Sequence, residues 1–266
     1  MSRACIANCG STENHVLGVG MMRFIATVAF AVMLAMPIRA EEARAQFAAS
    51  NMIAVFYHEF GHALVDLLDI PVLGREEDAV DALATLLIDL LWEEEDAPLL
   101  IADVAYGYAL RIAQGDDLDD SIWWGEHSLD EQRFAAMVCQ FYGADPEPRA
   151  ALAADLGMPE EMSDNCIAHA EQMAESWAVF LAALDGSGSA AGLDLLAQAG
   201  DDALAAVLRT EIDLVNARFN LPETVVVAAT DCDEANAFYD LAERQITICA
   251  GLAQWYAEMW DADTDG

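Results

Sequence analysis

The chain has 266 residues, 56% of them hydrophobic, enough for one domain with a sizeable core. Acidic side chains number 47 against 11 basic ones, every one an arginine, for a formal charge of −36. Phosphate backbones and anionic lipid headgroups would be repelled, so nucleic acid and anionic membrane surfaces are poor partners. The acidity reads first as a solvated surface.

The N-terminus reads as an address. Arg23 precedes an uncharged apolar run, Phe24 to Met36, followed by Pro37, Ala40 and a second small-residue group at Ala43 and Ala45. A basic start, an apolar run too short for a membrane span and a small-residue cleavage site are the parts of a secretory signal peptide. Met21 and Met22 stand where such a peptide begins. Residues 1–20 are therefore expected to be a mis-called upstream start, and 1–40 to lie outside a single domain covering 41–266. The expected location is exported, periplasmic or extracellular, with no stable membrane anchor after cleavage. Of six cysteines, Cys5 and Cys9 fall in the leader, leaving Cys139, Cys166, Cys232 and Cys249. In an exported protein these imply two disulfides. Three connectivities are possible, and the local pairs Cys139–Cys166 and Cys232–Cys249 are favoured.

Along the chain, helical periodicity runs from about Gln46 to Leu68 and ends at Pro71 and Gly74. A second helix is expected from Arg75 to about Trp92, with Val80, Leu83, Leu87, Leu90 and Leu91 as its buried stripe. A third covers Ala97 to Ala113, followed by an acidic loop at 116–120. Ser128 to Glu131 reads as a capping box opening a helix through Tyr142. Further helices are expected over Asn165–Leu184 and Gly192–Phe219, with Gly186 to Ser189 as a flexible joint. Thr224–Thr230, Ala237–Tyr239 and Gln245–Cys249 read as two or three strands, with a turn at Asp240–Glu243. Gly251–Trp260 returns to helix. The sum is an α+β domain, predominantly α-helical, with a small C-terminal β-hairpin or sheet.

The strongest chemical signal is His58-Glu59-Phe60-Gly61-His62. Two histidines at i and i+4 share one helix face, so both imidazoles can reach one zinc ion. Glu59 lies beside them, where a carboxylate can act as general base on a metal-activated water. A third protein ligand is needed. The next helix opens with Arg75-Glu76-Glu77-Asp78, and the tight turn before it returns this segment to the first helix. Glu77 is the expected ligand, with Glu76 in reserve. Asp81, one turn beyond Glu77, is expected to accept the outer ring N–H of a histidine. Asp66 either does the same or faces solvent. Oxyanion donors are sought among His127, His169, Tyr239 and Arg133, with His127 favoured as the catalytic partner of Glu59.

An HExxH helix followed by a glutamate helix is similar to the gluzincin metallopeptidases. More closely, residues 58–81 resemble the bacterial putative metallopeptidases first catalogued as a domain of unknown function. The segments EHSLDEQRF, Cys139 with Tyr142-Gly143, and NAFYD with ITIC resemble further blocks of that family. In that family the NAFYD/ITIC block precedes the HExxH helix, whereas here it follows. Circular permutation and a rearranged gene model both give that order. The resemblance implies a zincin-like active-site helix paired with a glutamate helix, Zn²⁺ as cofactor, and hydrolysis of a peptide or protein substrate. The competing expectation is a secreted, disulfide-braced binding protein with inert or structural zinc. A weaker one is a metal-dependent hydrolase of non-peptide amides.

Overall fold

The computed structural model describes residues 20–115, 124–186, 191–197 and 202–264, with side chains from Ala40 onward. The expected upstream start, the acidic loop at 116–120 and residues 187–189 of the joint lie outside the described residues. The chain divides into two compact units, Met1–Ala43 and Arg44–Gly266. In the first, the backbone is helical from Gly20. All that follows concerns the second.

Helix α1 (Gly20–Leu67) starts far upstream of the expected Gln46 and carries the site residues in its last turns. Its termination is local chemistry. Asp69 adopts a left-handed φ of 48°, its N–H donates to the Asp66 carbonyl at 3.3 Å, and Ile70 N–H donates to Val65 at 3.0 Å. That pair of bonds is a Schellman closure, with Asp in place of the usual Gly. The chain then reverses into α2 (Glu76–Leu91). The buried stripe of α2 is Val80, Leu83, Ala84, Leu87 and Ile88. Leu90, expected in that stripe, is 44% exposed, because the 3-4 spacing continues from Leu87 and Ile88 to the half-buried Leu91.

Behind the site helix lies a buried polar knot. Tyr57 donates to Glu211 at 2.7 Å and Trp92 donates to the same carboxylate oxygen at 3.2 Å. Burial, then the Glu211 carboxyl, push the Tyr57 hydroxyl far above its usual pKa, and burial raises Glu211 as well. The knot ties α1 to Trp92 and to α7 (Asp202–Arg218). On α1, Phe47, Phe56, Phe60 and Leu64 are fully buried, and the Phe56 ring lies 5.3 Å from that of Tyr57.

Helices α3 (Ala97–Gln114), α4 (Asp130–Ala144), α5 (Pro146–Asp155) and α6 (Ser163–Leu181) complete the helical part. The α4 start shifts by one residue from the expected capping box. Gln132, not Glu131, reaches back, and it accepts from Leu129 N–H at 3.3 Å. Two disulfides close, Cys139–Cys166 and Cys232–Cys249, with Cα separations of 4.9 and 5.3 Å. The first joins α4 to α6, which approach so closely that a Cβ on Gly143 would lie 2.1 Å from the Cys166 carbonyl oxygen.

Four strands form one sheet in the order β1-β2-β4-β3. These are β1 (Leu193–Ala197), β2 (Val225–Thr230), β3 (Ala237–Asp240) and β4 (Gln245–Cys249). β2 pairs in parallel with both β1 and β4, and β3 pairs antiparallel with β4. The expected helix over 192–219 is therefore corrected: its first part is β1, and only α7 is helical. Leu193-Asp-Leu-Leu-Ala is a short apolar run that periodicity cannot assign. Parallel pairing with β2, with α7 as the crossover, decides for strand. The hairpin turn is held by Asp240, whose Oδ1 accepts from Ala242 N–H and Glu243 N–H. Helix α8 (Ala250–Thr264) closes the chain. The architecture is α+β and predominantly helical. Among the described residues no helix is long and apolar enough to cross a membrane.

Gly143→Ala is expected to lower the thermal midpoint by several degrees, since overpacking costs about 1–3 kcal/mol. Differential scanning calorimetry reads this directly, and an unchanged midpoint would show that α4 and α6 separate freely.

Candidate metal centre

The last turns of α1 present His58, Glu59 and His62, and the first turn of α2 returns against them. One residue sets that approach. A Cβ on Gly61 would sit 2.8 Å from Val80 Cβ, so the glycine between the two histidines lets α2 lie directly on α1. Glu77 Oε2 then stands 3.1 Å from His58 Nε2 and 3.5 Å from His62 Nε2. These donors form one group whose ligand atoms all lie within 4.8 Å of one another.

The outer nitrogens decide what the inner ones can do. His58 Nδ1 lies 2.7 Å from Asp81 Oδ1, and His62 Nδ1 lies 2.8 Å from Glu76 Oε1. A carboxylate can only accept, so both Nδ1 atoms carry the hydrogen and, in the neutral rings, both Nε2 atoms are bare lone pairs. They face Glu77 Oε2, which is buried and makes no hydrogen bond among the described residues. Lone pairs opposed across this distance repel, and either a proton or a metal cation between them relieves the repulsion. Ligands held tetrahedrally at roughly 2.0–2.1 Å from a metal stand about 3.3 Å apart, the spacing found here. The donor set fits a divalent cation.

A proton is the competitor for that hole. Burial alone would depress His58, but the carboxylates of Asp81 and Glu77 outweigh it and raise the ring to about 9. His62 moves up for the same reason, through Glu77 and Glu76. Burial would raise Glu77, yet the imidazoles of His127, His58 and His62 hold its carboxyl well below the usual range. Asp81 is also held low against its burial, by His58 and by Arg133. Glu59 goes the other way: it is 7% exposed, and burial raises its pKa.

Each expected residue has a definite place. His58, His62 and Glu77 converge as described. Asp81 meets His58. Glu76, held in reserve as a ligand, instead supports His62 from outside. Asp66 touches neither imidazole: its Oδ2 accepts from Tyr239 on β3 at 2.8 Å. That bond occupies the Tyr239 hydroxyl. Arg133 grips Asp81 with two bonds, at 2.6 and 2.8 Å, which turns that edge of its guanidinium to the carboxylate behind His58. His127 Nε2 stands 2.9 Å from Glu77 Oε2, with its ring stacked 5.8 Å from that of His58. His169 lines the same cleft from α6. That cleft has a volume of about 1310 Å³ and reaches the donors from outside.

Sequence reasoning missed the roles of Gly61, Glu76 and Arg133. For Arg133 a signal exists: with 47 acids and 11 arginines, a buried arginine must be paired, and Asp81 was the carboxylate already placed in the interior.

A family described as "Putative metallopeptidase" matches residues 28–181 and 200–265, most of the chain. The chain belongs to this family. Membership implies a metal, and the His-His-Glu group is able to hold one. No curated protein and no solved structure matches the chain.

Because the His58 proton occupies the cation's place up to about pH 9, metal affinity is expected to rise with pH below that value. The rise should be at least about tenfold per unit between roughly pH 6 and 8, where one or more protons are released on binding. Chelator competition at several pH values measures this; a flat profile would remove the imidazoles from the ligand set.

Proposed function

We propose that the protein is an exported zinc metallopeptidase of the gluzincin type, in which His58, His62 and Glu77 hold the metal and Glu59 is the general base. The observation that carries this reading is the convergence of the buried Oε2 of Glu77 on two imidazole nitrogens whose rings are each held from outside by a carboxylate. Two histidines and a carboxylate suit zinc and leave one position for water or substrate. When bound, zinc would polarise the scissile carbonyl and lower the pKa of a coordinated water towards about 7.

The chain's own groups supply the rest. Glu59 lines the cleft beside the two histidines, and no hydrogen bond or ion pair engages it among the described residues. Its raised pKa suits a group that takes a proton from water and returns it to the leaving amine. His127, on the cleft side of Glu77, is placed to donate a hydrogen bond to the developing oxyanion. Asp81 and Glu76 fix the tautomers of His58 and His62, so that Nε2 is the free lone pair in each. The cleft of about 1310 Å³ has room for a peptide segment. Export is supported by the two disulfides and by the leader composition.

One observation favours a second reading. His127 Nε2 is close enough to Glu77 to act as a fourth ligand, which would close the site and leave a zinc-braced binding protein.

The two readings part on Glu59→Gln. The peptidase reading expects zinc binding unchanged and cleavage of a pool of quenched fluorogenic peptides lowered about 10²–10⁴-fold. Stoichiometric zinc with no cleavage by wild type or variant would leave the binding protein. Ligand assignment is tested separately by isothermal titration with zinc. Glu76→Ala is expected to weaken binding about 10–100-fold, the usual cost of an outer partner. Glu77→Ala should weaken it far more, and equal losses would sink the assignment of Glu77.

A further inference from the structure

His127 is attached to α2 at two points. Its ring nitrogen meets Glu77, and its backbone carbonyl accepts from Arg75 Nη1 at 2.8 Å. The same Nη1 lies 3.2 Å from the carbonyl of Gly125 and 3.4 Å from that of Glu126. One guanidinium nitrogen thus gathers three successive carbonyls, the shortest bond being to the residue that faces the metal donors. The segment it gathers has little else to hold it in place: Trp124 is 87% exposed, and Gly125, Glu126 and His127 are exposed as well. Arg75 itself immediately precedes α2, two residues before Glu77. Glu77 and the anchor for His127 therefore stand at the same end of α2.

From this geometry we infer that Arg75 is a positioning residue for catalysis, which sets the His127 imidazole over the open coordination position by clasping the 125–127 backbone. The inference rests on the proposed role of His127. The local character of the clasp follows from its exposure. Arg75 is exposed and bonds neutral carbonyls at the surface, so it contributes little to global stability. Its effect is confined to where one ring stands, and misplacing a reacting or stabilising group by about 1 Å costs up to about 10² in rate.

The test uses the full chain with zinc, and Arg75→Ala, Arg75→Lys, His127→Ala and the Arg75→Ala/His127→Ala double variant. Backbone carbonyl ¹³C chemical shifts read by NMR report the clasp without any turnover. Arg75→Ala should move the shifts of Gly125, Glu126 and His127, with Arg75→Lys intermediate and carbonyls remote from the clasp unchanged. Unmoved shifts at 125–127 would overturn the inference whatever the activity. In turnover of a quenched fluorogenic peptide, Arg75→Ala should lower kcat about 10- to 100-fold at nearly constant KM and unaltered zinc affinity. The double variant should be no slower than His127→Ala, because the clasp acts through that ring alone. Additive losses, or a fall in zinc affinity with Arg75→Ala, would show that Arg75 acts through α2 and Glu77 instead. Full turnover by His127→Ala would overturn the inference, because the clasp would then position nothing that the reaction uses, while Glu59→Gln would still test the peptidase reading separately. Lost zinc in His127→Ala would make that residue a ligand and end the positioning account.

Discussion

The approach of one carboxylate oxygen to two imidazole lone pairs is the constraint on which the rest of the structure depends. Glu77 Oε2 and the Nε2 atoms of His58 and His62 are all acceptors once Asp81 and Glu76 have taken the ring hydrogens. Left to themselves such groups repel, and burial deepens the penalty by removing water. They stay together because both helices are fixed from behind. The Tyr57–Glu211–Trp92 knot anchors α1, the Schellman turn at Asp69 sets the reversal, and Gly61 admits Val80 at a distance no side chain would allow. Without metal, the His58 proton relieves the repulsion, which is why the ring is held up to about 9. Proton and metal are alternative occupants of one electrostatic hole.

Much of this was legible because helix geometry transfers without knowledge of the fold. The i, i+4 histidines and the Glu77/Asp81 pair follow from 3.6 residues per turn, and no long-range contact is needed to see them. Glu76 was not assigned its role, because an acid in a first helical turn looks alike whether it serves the dipole, a metal or a histidine. Only the tertiary position of His62 distinguishes these. Gly61 was equally silent: a glycine inside a helix says that something approaches, but not that the visitor is Val80. Among the elements, β1 was lost to α7 since five residues of Leu193–Ala197 carry too little periodicity to resist a neighbouring helix pattern. Pairing with β2, more than thirty residues away in register Leu193–Val225, is invisible locally. Leu90 and the shifted cap at Leu129 are boundary errors of one or two residues, the usual size when a terminus is read from pattern alone.

The charge distribution gives a further constraint. Arginine is scarce in this chain, yet Arg75, Arg111 and Arg133 all line the cleft. Each is committed. Arg133 holds Asp81 with two bonds, Arg111 holds Asp130 with two bonds at 3.0 and 3.1 Å, and Arg75 holds the carbonyls beside His127. Each guanidinium is thereby tied to a group of the cleft wall. The scarce cations are spent on aligning groups that face the donors, and the surplus of carboxylates keeps the surroundings favourable to a divalent ion.

That allocation bears on whether the centre turns over substrate or merely braces the fold. A structural zinc site needs ligands with satisfied outer partners, and His58 and His62 have them. It has no need for Glu59, whose side chain lines the cleft beside the donors without a hydrogen-bond partner among the described residues. Nor does it need a cleft of about 1310 Å³ leading to the ligands, since filling that space with side chains would stabilise a fold at less cost. The two disulfides already brace the chain at α4–α6 and at β4. Bracing of this kind beside an open approach to the metal donors favours the proposed chemistry on water over a purely structural site. In that proposal the position of His127 matters: nearer the metal position the same ring would be a ligand that closes the site, and standing off it would be an oxyanion donor. The backbone clasp that would set the ring lies outside the HExxH helix, at Arg75, the residue immediately before α2.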